Sequence, residues 1–188
     1  NVFYDASGED GLSQEAWAFT ERLLHSANDL CLVLNPSVNS YRRLDPALEA
    51  PNQIKASAEN RAAMIRIPLA NERSARIEVR SISPDVNPYM LIYALLKTGL
   101  EGALPKADEQ EGKRPRTRFL QNNIHDALRV FRSSELSTML FGEASKTKYA
   151  EMKQMSADRC PKELGSRVKT EEIVFHHEVT NQLLWSQF

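Results

Sequence analysis

The residues best suited to chemistry alternate along one short segment, Arg76-Ile77-Glu78-Val79-Arg80. A period of two predicts a strand with Arg76, Glu78 and Arg80 on one face and the two apolar residues on the other. Arginine binds phosphate or carboxylate through paired hydrogen bonds, and a carboxylate beside phosphate commonly holds Mg²⁺. The charged face therefore predicts a site for an anion and a divalent cation. The alternative is an ordinary solvated face of an antiparallel sheet.

Three further arginines are expected to reach the same place from neighbouring segments. Arg61 and Arg66 lie at or near a predicted partner strand over residues 63–68, and Arg43 lies in the preceding proline-rich segment. Arginines packed together repel one another unless anions lie between them. A cluster of five arginines around Glu78 thus favours phosphate binding, although it does not name a reaction.

The elements that must position these residues follow from periodicity and capping signals. Ser13 can cap a first helix, and Asn87 followed by Pro88 can begin another. The predicted helices cover 12–34, 87–102, 119–141, 144–159 and 168–188, with a loop over 35–60 and strands over 63–68 and 74–81. The helix over 87–102 is apolar nearly all round, which predicts burial. We expect an α+β fold in which the helices over 12–34 and 87–102 cover the sheet.

Composition excludes several classes of protein. The 188 residues carry 24 Lys+Arg against 25 Asp+Glu, a net charge of −1, which argues against a nucleic-acid binder. No apolar run approaches the ~18 residues of a membrane helix. Two cysteines without a CxxC motif argue against a disulfide scaffold or a zinc site, and they fit the cytoplasm. The first residue is Asn1 and not Met, and no signal peptide follows it, so we expect that the chain is a piece of a longer polypeptide.

Six motifs occur in order and with close spacing. They are Asn39-Ser40-Tyr41-Arg42-Arg43-Leu44, Glu49-Ala50-Pro51, Asn60-Arg61, Ile65-Arg66-Ile67-Pro68, Arg76-Ile77-Glu78-Val79-Arg80 and Asn87-Pro88-Tyr89. The sequence resembles the C-terminal half of the catalytic domain of glutamine synthetase, bacterial class, strongly over 1–102 and weakly over 119–188. The resemblance implies that residues 1–104 complete the ATP- and glutamate-binding domain. Residues 105–118 would be a connecting segment, and residues 119–188 a helical C-terminal region of the same domain.

The resemblance also implies an activity and a role for each motif residue. ATP would phosphorylate the side-chain carboxylate of glutamate, and ammonia would displace the phosphate, with Mg²⁺ or Mn²⁺ as cofactor. By position, Glu78 would bind the metal and Glu49 would close the site and help to deprotonate ammonium. The arginines divide between glutamate (Arg43), the ATP phosphates (Arg61 and Arg66), the nucleotide (Arg76) and the phosphorylated carboxylate (Arg80). Arg61, Arg80 and Glu49 would be the catalytic residues.

Departures from the family leave alternatives open. The family's other metal ligands and its N-terminal domain precede the region at which Asn1 begins, so we expect these 188 residues alone to be inactive. Leu48 stands where the family usually has tyrosine, which would suit a γ-glutamyl ligase that takes an organic amine. A non-catalytic structural or interaction module is the other alternative. The resemblance implies a homo-oligomer for the full enzyme.

Overall fold

The computed structural model describes residues 1–44, 50–105 and 116–158, and these ranges hold six α-helices and a three-stranded sheet. A single turn of 3-10 helix, Glu9–Gly11, precedes them. The helices are α1 (Gln14–His25), α2 (Ala27–Leu34), α3 (Val38–Arg43), α4 (Pro88–Glu101), α5 (Ile124–Ser133) and α6 (Glu135–Asp158). The strands are β1 (Gln53–Ser57), β2 (Ala63–Arg66) and β3 (Glu78–Val79). This mixture of helices and a small sheet confirms the α+β prediction.

The first predicted helix is two helices. Ser13 caps α1 as expected, since its Oγ accepts a hydrogen bond from Ala16 N. The continuous helix predicted over 12–34 is wrong at Ser26, where the backbone leaves helical geometry (φ −91°, ψ 9°). The change of direction lets α2 enter the core. All five residues from Leu30 to Leu34 are buried as a result. No single amphipathic stripe could bury five consecutive side chains.

The loop predicted over 35–60 contains two regular elements. Ser37 and Ser40 form a reciprocal capping box that starts α3. Strand β1 is paired on both edges, because Gln53 N donates to Ala62 O and Ile54 N donates to Arg118 O. The prediction failed because Pro36 precedes α3 and Pro51 precedes β1, so neither proline lies inside an element.

The sheet has the order β1-β2-β3, with β1 and β2 parallel and β2 and β3 antiparallel. Parallel neighbours usually need a crossover of roughly a dozen residues. Here residues 58–62 make the return, held by Ser57 Oγ and by Asn60 Oδ1, which accepts a hydrogen bond from Ala62 N at 2.8 Å. Strands β2 and β3 lie inside the predicted strands and are shorter.

Helix α4 begins as predicted, but it is not buried as predicted. Asn87 Oδ1 accepts hydrogen bonds from Tyr89 N and Met90 N, and Pro88 is the first helical residue. Only Ala94, Thr98 and Gly99 are buried, in the face that meets α1 and α2. The outer face leaves Tyr89 84% exposed, and within the described ranges no element covers it. Helix α1 packs on β1, and α4 packs mainly on α1 and α2.

The last two helices complete the core. Leu120, just before α5, and Ile124, Leu128 and Phe131 within it are buried. The helix predicted over 119–141 instead begins at Ile124 and stops at Ser133, and α6 changes direction at Gly142 (φ 69°, ψ 159°). Phe131 lies 5.5 Å from the ring of Tyr149, which joins α5 to α6. The helix predicted over 168–188 lies outside the described residues, and the three-part domain division stays a prediction.

Candidate functional site

Glu78 lies at the centre of the predicted charged cluster. The β2–β3 register pairs Arg66 directly with Glu78, and Arg66 Nη1 donates to Glu78 Oε2 at 3.2 Å. On the other side, Arg76 donates to Glu78 Oε1 through Nε at 3.0 Å and Nη2 at 2.7 Å. Ile77 and Val79 face the core, so the period of two predicted both faces of this strand correctly. Both oxygens of Glu78 therefore have an arginine partner.

The electrostatics of Glu78 follow from these contacts. Partial burial acts to raise the pKa of its carboxyl group. The hydrogen bond from Arg76 and the charge of Arg66 outweigh that effect and hold the pKa below its ordinary value. Glu78 is thus a carboxylate at neutral pH and can serve as an oxygen ligand for a hard cation.

Arg80 joins the strand to the return that carries Arg61. Its backbone N donates to Met64 O at 2.8 Å, and its side-chain Nη1 donates to Arg61 O at 2.9 Å. These bonds place the Arg80 side chain beside the segment between β1 and β2. Arg61 itself is exposed. The two predicted catalytic arginines are thus neighbours.

Arg43 reaches the same strand from the end of α3. Its Nη2 donates to Arg80 O at 3.2 Å and to Ile82 O at 2.8 Å. Burial lowers the pKa of the Arg43 guanidinium, the charge of Arg80 lowers it further, and Asp85 opposes both. Within the described ranges neither Arg43 nor Arg80 forms an ion pair. Two neighbouring cations of this kind favour an anion between them.

Two groups of contacts therefore hold the predicted residues: Glu78 pairs with Arg66 and Arg76, and two residues along the strand Arg80 is joined to Arg61 and Arg43 through hydrogen bonds to backbone oxygens. The side chains of Arg66 and Arg76 are 47% and 53% exposed, so a ligand in solvent can reach them. Glu49, the predicted flap residue, lies outside the described residues. The individual roles of these residues stay predictions, since the geometry gives proximity and not function.

The sequence analysis did not identify Asp85, whose carboxylate contacts α3, the helix that carries Arg43. Asp85 accepts hydrogen bonds from Ser40 Oγ at 3.1 Å and from Ser83 Oγ. Burial acts to raise the pKa of Asp85, but hydrogen bonds from Ser37, Ser83 and Ser40 hold it below its ordinary value. The only signal in the sequence was a Ser-x-Asp spacing after the strand, which is common in turns.

Glu78 is the predicted metal ligand in this part of the chain. Among residues 1–44, 50–105 and 116–158 there is no group of three or more His, Cys, Asp or Glu side chains that could hold an ion. The Glu78 carboxylate is of the oxygen type that hard cations prefer, and the described residues do not complete a coordination shell around it. Within the same ranges, no helix has the length and apolarity needed to span a bilayer.

Comparisons with known proteins match nearly the whole chain. The sequence model described as glutamine synthetase, catalytic domain, matches residues 1–171. A glutamine synthetase of Staphylococcus aureus (strain MRSA252) is 34% identical over 171 residues, covering 84% of this chain and 38% of the relative. A glutamine synthetase of Clostridium saccharobutylicum is 36% identical over 156 residues, covering 76% of this chain and 35% of the relative.

Solved structures give the same result. A GmaS structure with ADP aligns with a TM-score of 0.69 at 30% identity, covering 93% of this chain and 43% of that one. Apo GmaS without ligand aligns with a TM-score of 0.65 at 33% identity, covering 83% and 37%. The chain thus spans well under half the length of the relatives it matches. The resemblance read from the six motifs is confirmed.

Proposed function

Because this chain belongs to the glutamine synthetase catalytic-domain family, we propose that the protein is an ATP-dependent ligase. In the proposed reaction, the side-chain carboxylate of glutamate attacks the γ-phosphorus of ATP and ADP leaves. Ammonia then attacks the carbonyl carbon of the γ-glutamyl phosphate and displaces phosphate. The proposed enzyme works in the cytoplasm as a homo-oligomer, with the remaining metal ligands supplied outside these residues.

The observation that carries the proposal is the pairing of Glu78 with Arg66 and Arg76 beside the cations Arg43 and Arg80. A non-catalytic module has no physical reason to gather so many arginines at one strand end. Phosphoryl transfer needs mainly positioning and neutralisation of charge, and arginines supply both. The excess of positive charge is therefore the feature that favours an ATP-dependent reaction.

The proposed roles follow the motif positions. Arg61 and Arg66 bind the ATP phosphates, and Arg76 binds the nucleotide. Arg43 holds glutamate and Arg80 neutralises its phosphorylated carboxylate, which agrees with the contact of Arg43 with the backbone of Arg80. Glu49 closes the site, excludes water from the acyl phosphate and accepts a proton from ammonium. Glu78 would contribute one ligand to a bound Mg²⁺ or Mn²⁺, which supplies further neutralisation at the phosphates.

The test is an assay of the intact protein for ADP and glutamine formation from ATP and glutamate with ammonium. We expect release of ADP that requires glutamate, together with glutamine. A parallel set of small primary amines tests the alternative suggested by Leu48, because γ-glutamyl amides would form in place of glutamine. If ADP forms with neither ammonium nor any amine, the ligase proposal is overturned and a non-catalytic module takes its place.

A further inference from the structure

The segment between β3 and α4 contacts α3 near both of its ends. At the C-terminal end, the Arg43 side chain donates to the carbonyl oxygens of Arg80 and Ile82. In the first turn, Ser40 Oγ donates to Asp85 Oδ1 at 3.1 Å. Just before the helix, Ser83 N donates to Leu34 O at 3.0 Å. The short helix is therefore aligned along residues 80–85.

Asp85 is the only charged side chain among these contacts besides Arg43, within the described ranges. Its carboxylate accepts from the hydroxyl groups of Ser40, Ser83 and Ser37, whose residues are 2%, 3% and 8% exposed. Hydrogen bonds to an ionised carboxylate are roughly twice as strong as neutral ones. The carboxylate thus holds α3 against residues 80–85 more firmly than a neutral group would.

The helix itself does not depend on Asp85. Ser37 Oγ accepts from Ser40 N and Ser40 Oγ accepts from Ser37 N, each at 3.3 Å, which satisfies the first turn internally. The contact with Asp85 fixes where the helix lies and leaves its formation to the capping box. That distinction separates a positioning role from a purely structural one.

We propose that Asp85 is a positioning residue that sets the direction of the Arg43 guanidinium through Ser40 and α3. This rests on the proposed function, in which Arg43 holds the glutamate carboxylate. Asp85 acts on glutamate binding without touching glutamate. ATP binding by Arg61, Arg66 and Arg76 is independent of it, because those side chains lie on or beside the strands.

The first test is Asp85→Asn in the intact protein, with steady-state kinetics for both substrates. We expect the KM for glutamate to rise about 5-fold, because Asn keeps an acceptor for the serine hydroxyls but replaces charge-assisted hydrogen bonds by weaker neutral ones. The KM for ATP and kcat should stay within about 2-fold. A matched control is Asp5→Asn, because Asp5 accepts from Ser7 N and Ser7 Oγ in a similar turn near the N-terminus, at 2.9 and 2.7 Å. An unchanged glutamate KM, or equal losses in all three parameters, would overturn the proposal.

A second measurement separates failure of this proposal from failure of the ligase function. Phenylglyoxal modifies arginine side chains, and mass spectrometry of peptides reports Arg43 and the exposed Arg73 in the same sample. With Asp85→Asn we expect Arg43 to react roughly 5-fold faster relative to Arg73. An unchanged ratio overturns the positioning role even if the protein proves to have no ligase activity. If Asp85→Asn does not fold, Ser83→Ala removes one hydroxyl group from the carboxylate. A raised glutamate KM and faster modification of Arg43 relative to Arg73 would again support the proposal, and no change in either would overturn it.

Discussion

Arg66 and Glu78 face each other directly across β2 and β3, with Arg66 Nη1 3.2 Å from Glu78 Oε2. The backbone register fixes this pair, and Arg76 holds the other carboxylate oxygen. An incoming phosphate would compete with Glu78 for both arginines. Under the proposed roles, arginines that turn toward phosphate would free the carboxylate to bind a cation, so nucleotide binding and metal binding would be coupled.

We expect Glu78→Gln to lower kcat at least about 100-fold at ordinary Mg²⁺ concentrations, because a neutral amide is a poor ligand for a hard cation. Titration of activity with Mg²⁺ and Mn²⁺ measures the change. Glu59→Gln is the control, since Glu59 is an exposed glutamate in the β1–β2 return. Normal activity at normal Mg²⁺ would contradict the metal assignment.

Arg76→Lys tests the nucleotide role. A lysine keeps the charge but cannot make the paired contact that Arg76 makes through Nε and Nη2. We expect the KM for ATP to rise about 10-fold with little change for glutamate, as in the loss of one charge-assisted hydrogen bond. Arg73→Lys, on the exposed turn before β3, should change neither. A larger rise in the KM for glutamate than in the KM for ATP would contradict the nucleotide role of Arg76.

Glu49→Ala should separate the two chemical steps. If Glu49 closes the site and accepts a proton from ammonium, its loss slows the displacement of phosphate more than the phosphorylation of glutamate. Single-turnover kinetics with quench-flow would detect rapid ADP formation followed by slow glutamine formation. Equal slowing of both steps would count against the flap role.

Gly99→Ala should weaken the contact between α1 and α4. A Cβ at this position would lie 2.2 Å from two ring atoms of Phe19. Overpacking of this kind typically costs about 1–3 kcal/mol of unfolding free energy. Urea denaturation measures the loss, and Phe19→Leu in the same chain should restore part of it. An additive loss in the double variant would show that the ring is not the cause.

Stability should decline at alkaline pH because burial raises the pKa of three groups. The pKa of Cys31 rises from 9.0 to about 12, and those of Tyr41 and Tyr149 rise from 10.0. The unfolded chain loses these protons first, so the stabilisation is complete below pH 9 and is lost as pH rises toward the folded pKa values. We expect a lower urea midpoint at pH 10.5 than at pH 8.5. Tyr149→Phe should reduce that difference, and an unchanged difference would mean that other groups cause it.

Local patterns predicted the part of the site that lies on one strand. The alternation from Arg76 to Arg80 depends only on the period of a strand, and the structure places these side chains as expected. The bend at Ser26 and the burial of only one face of α4 depend on packing between distant elements. Asp85 was missed for the same reason, since its contact with Ser40 joins segments 45 residues apart.

The short return between β1 and β2 also bears on the order of folding. Residues 58–62 close the parallel ladder over a small loop, so the entropy lost in forming it is small. The bridge between Gln53 and Phe119, on the other edge of β1, must close a far longer loop. Contacts between nearby residues tend to form sooner than distant ones. The strands that carry Arg66 and Glu78 should therefore assemble early, and hydrogen exchange during refolding would show β2 protected before the residues around Phe119.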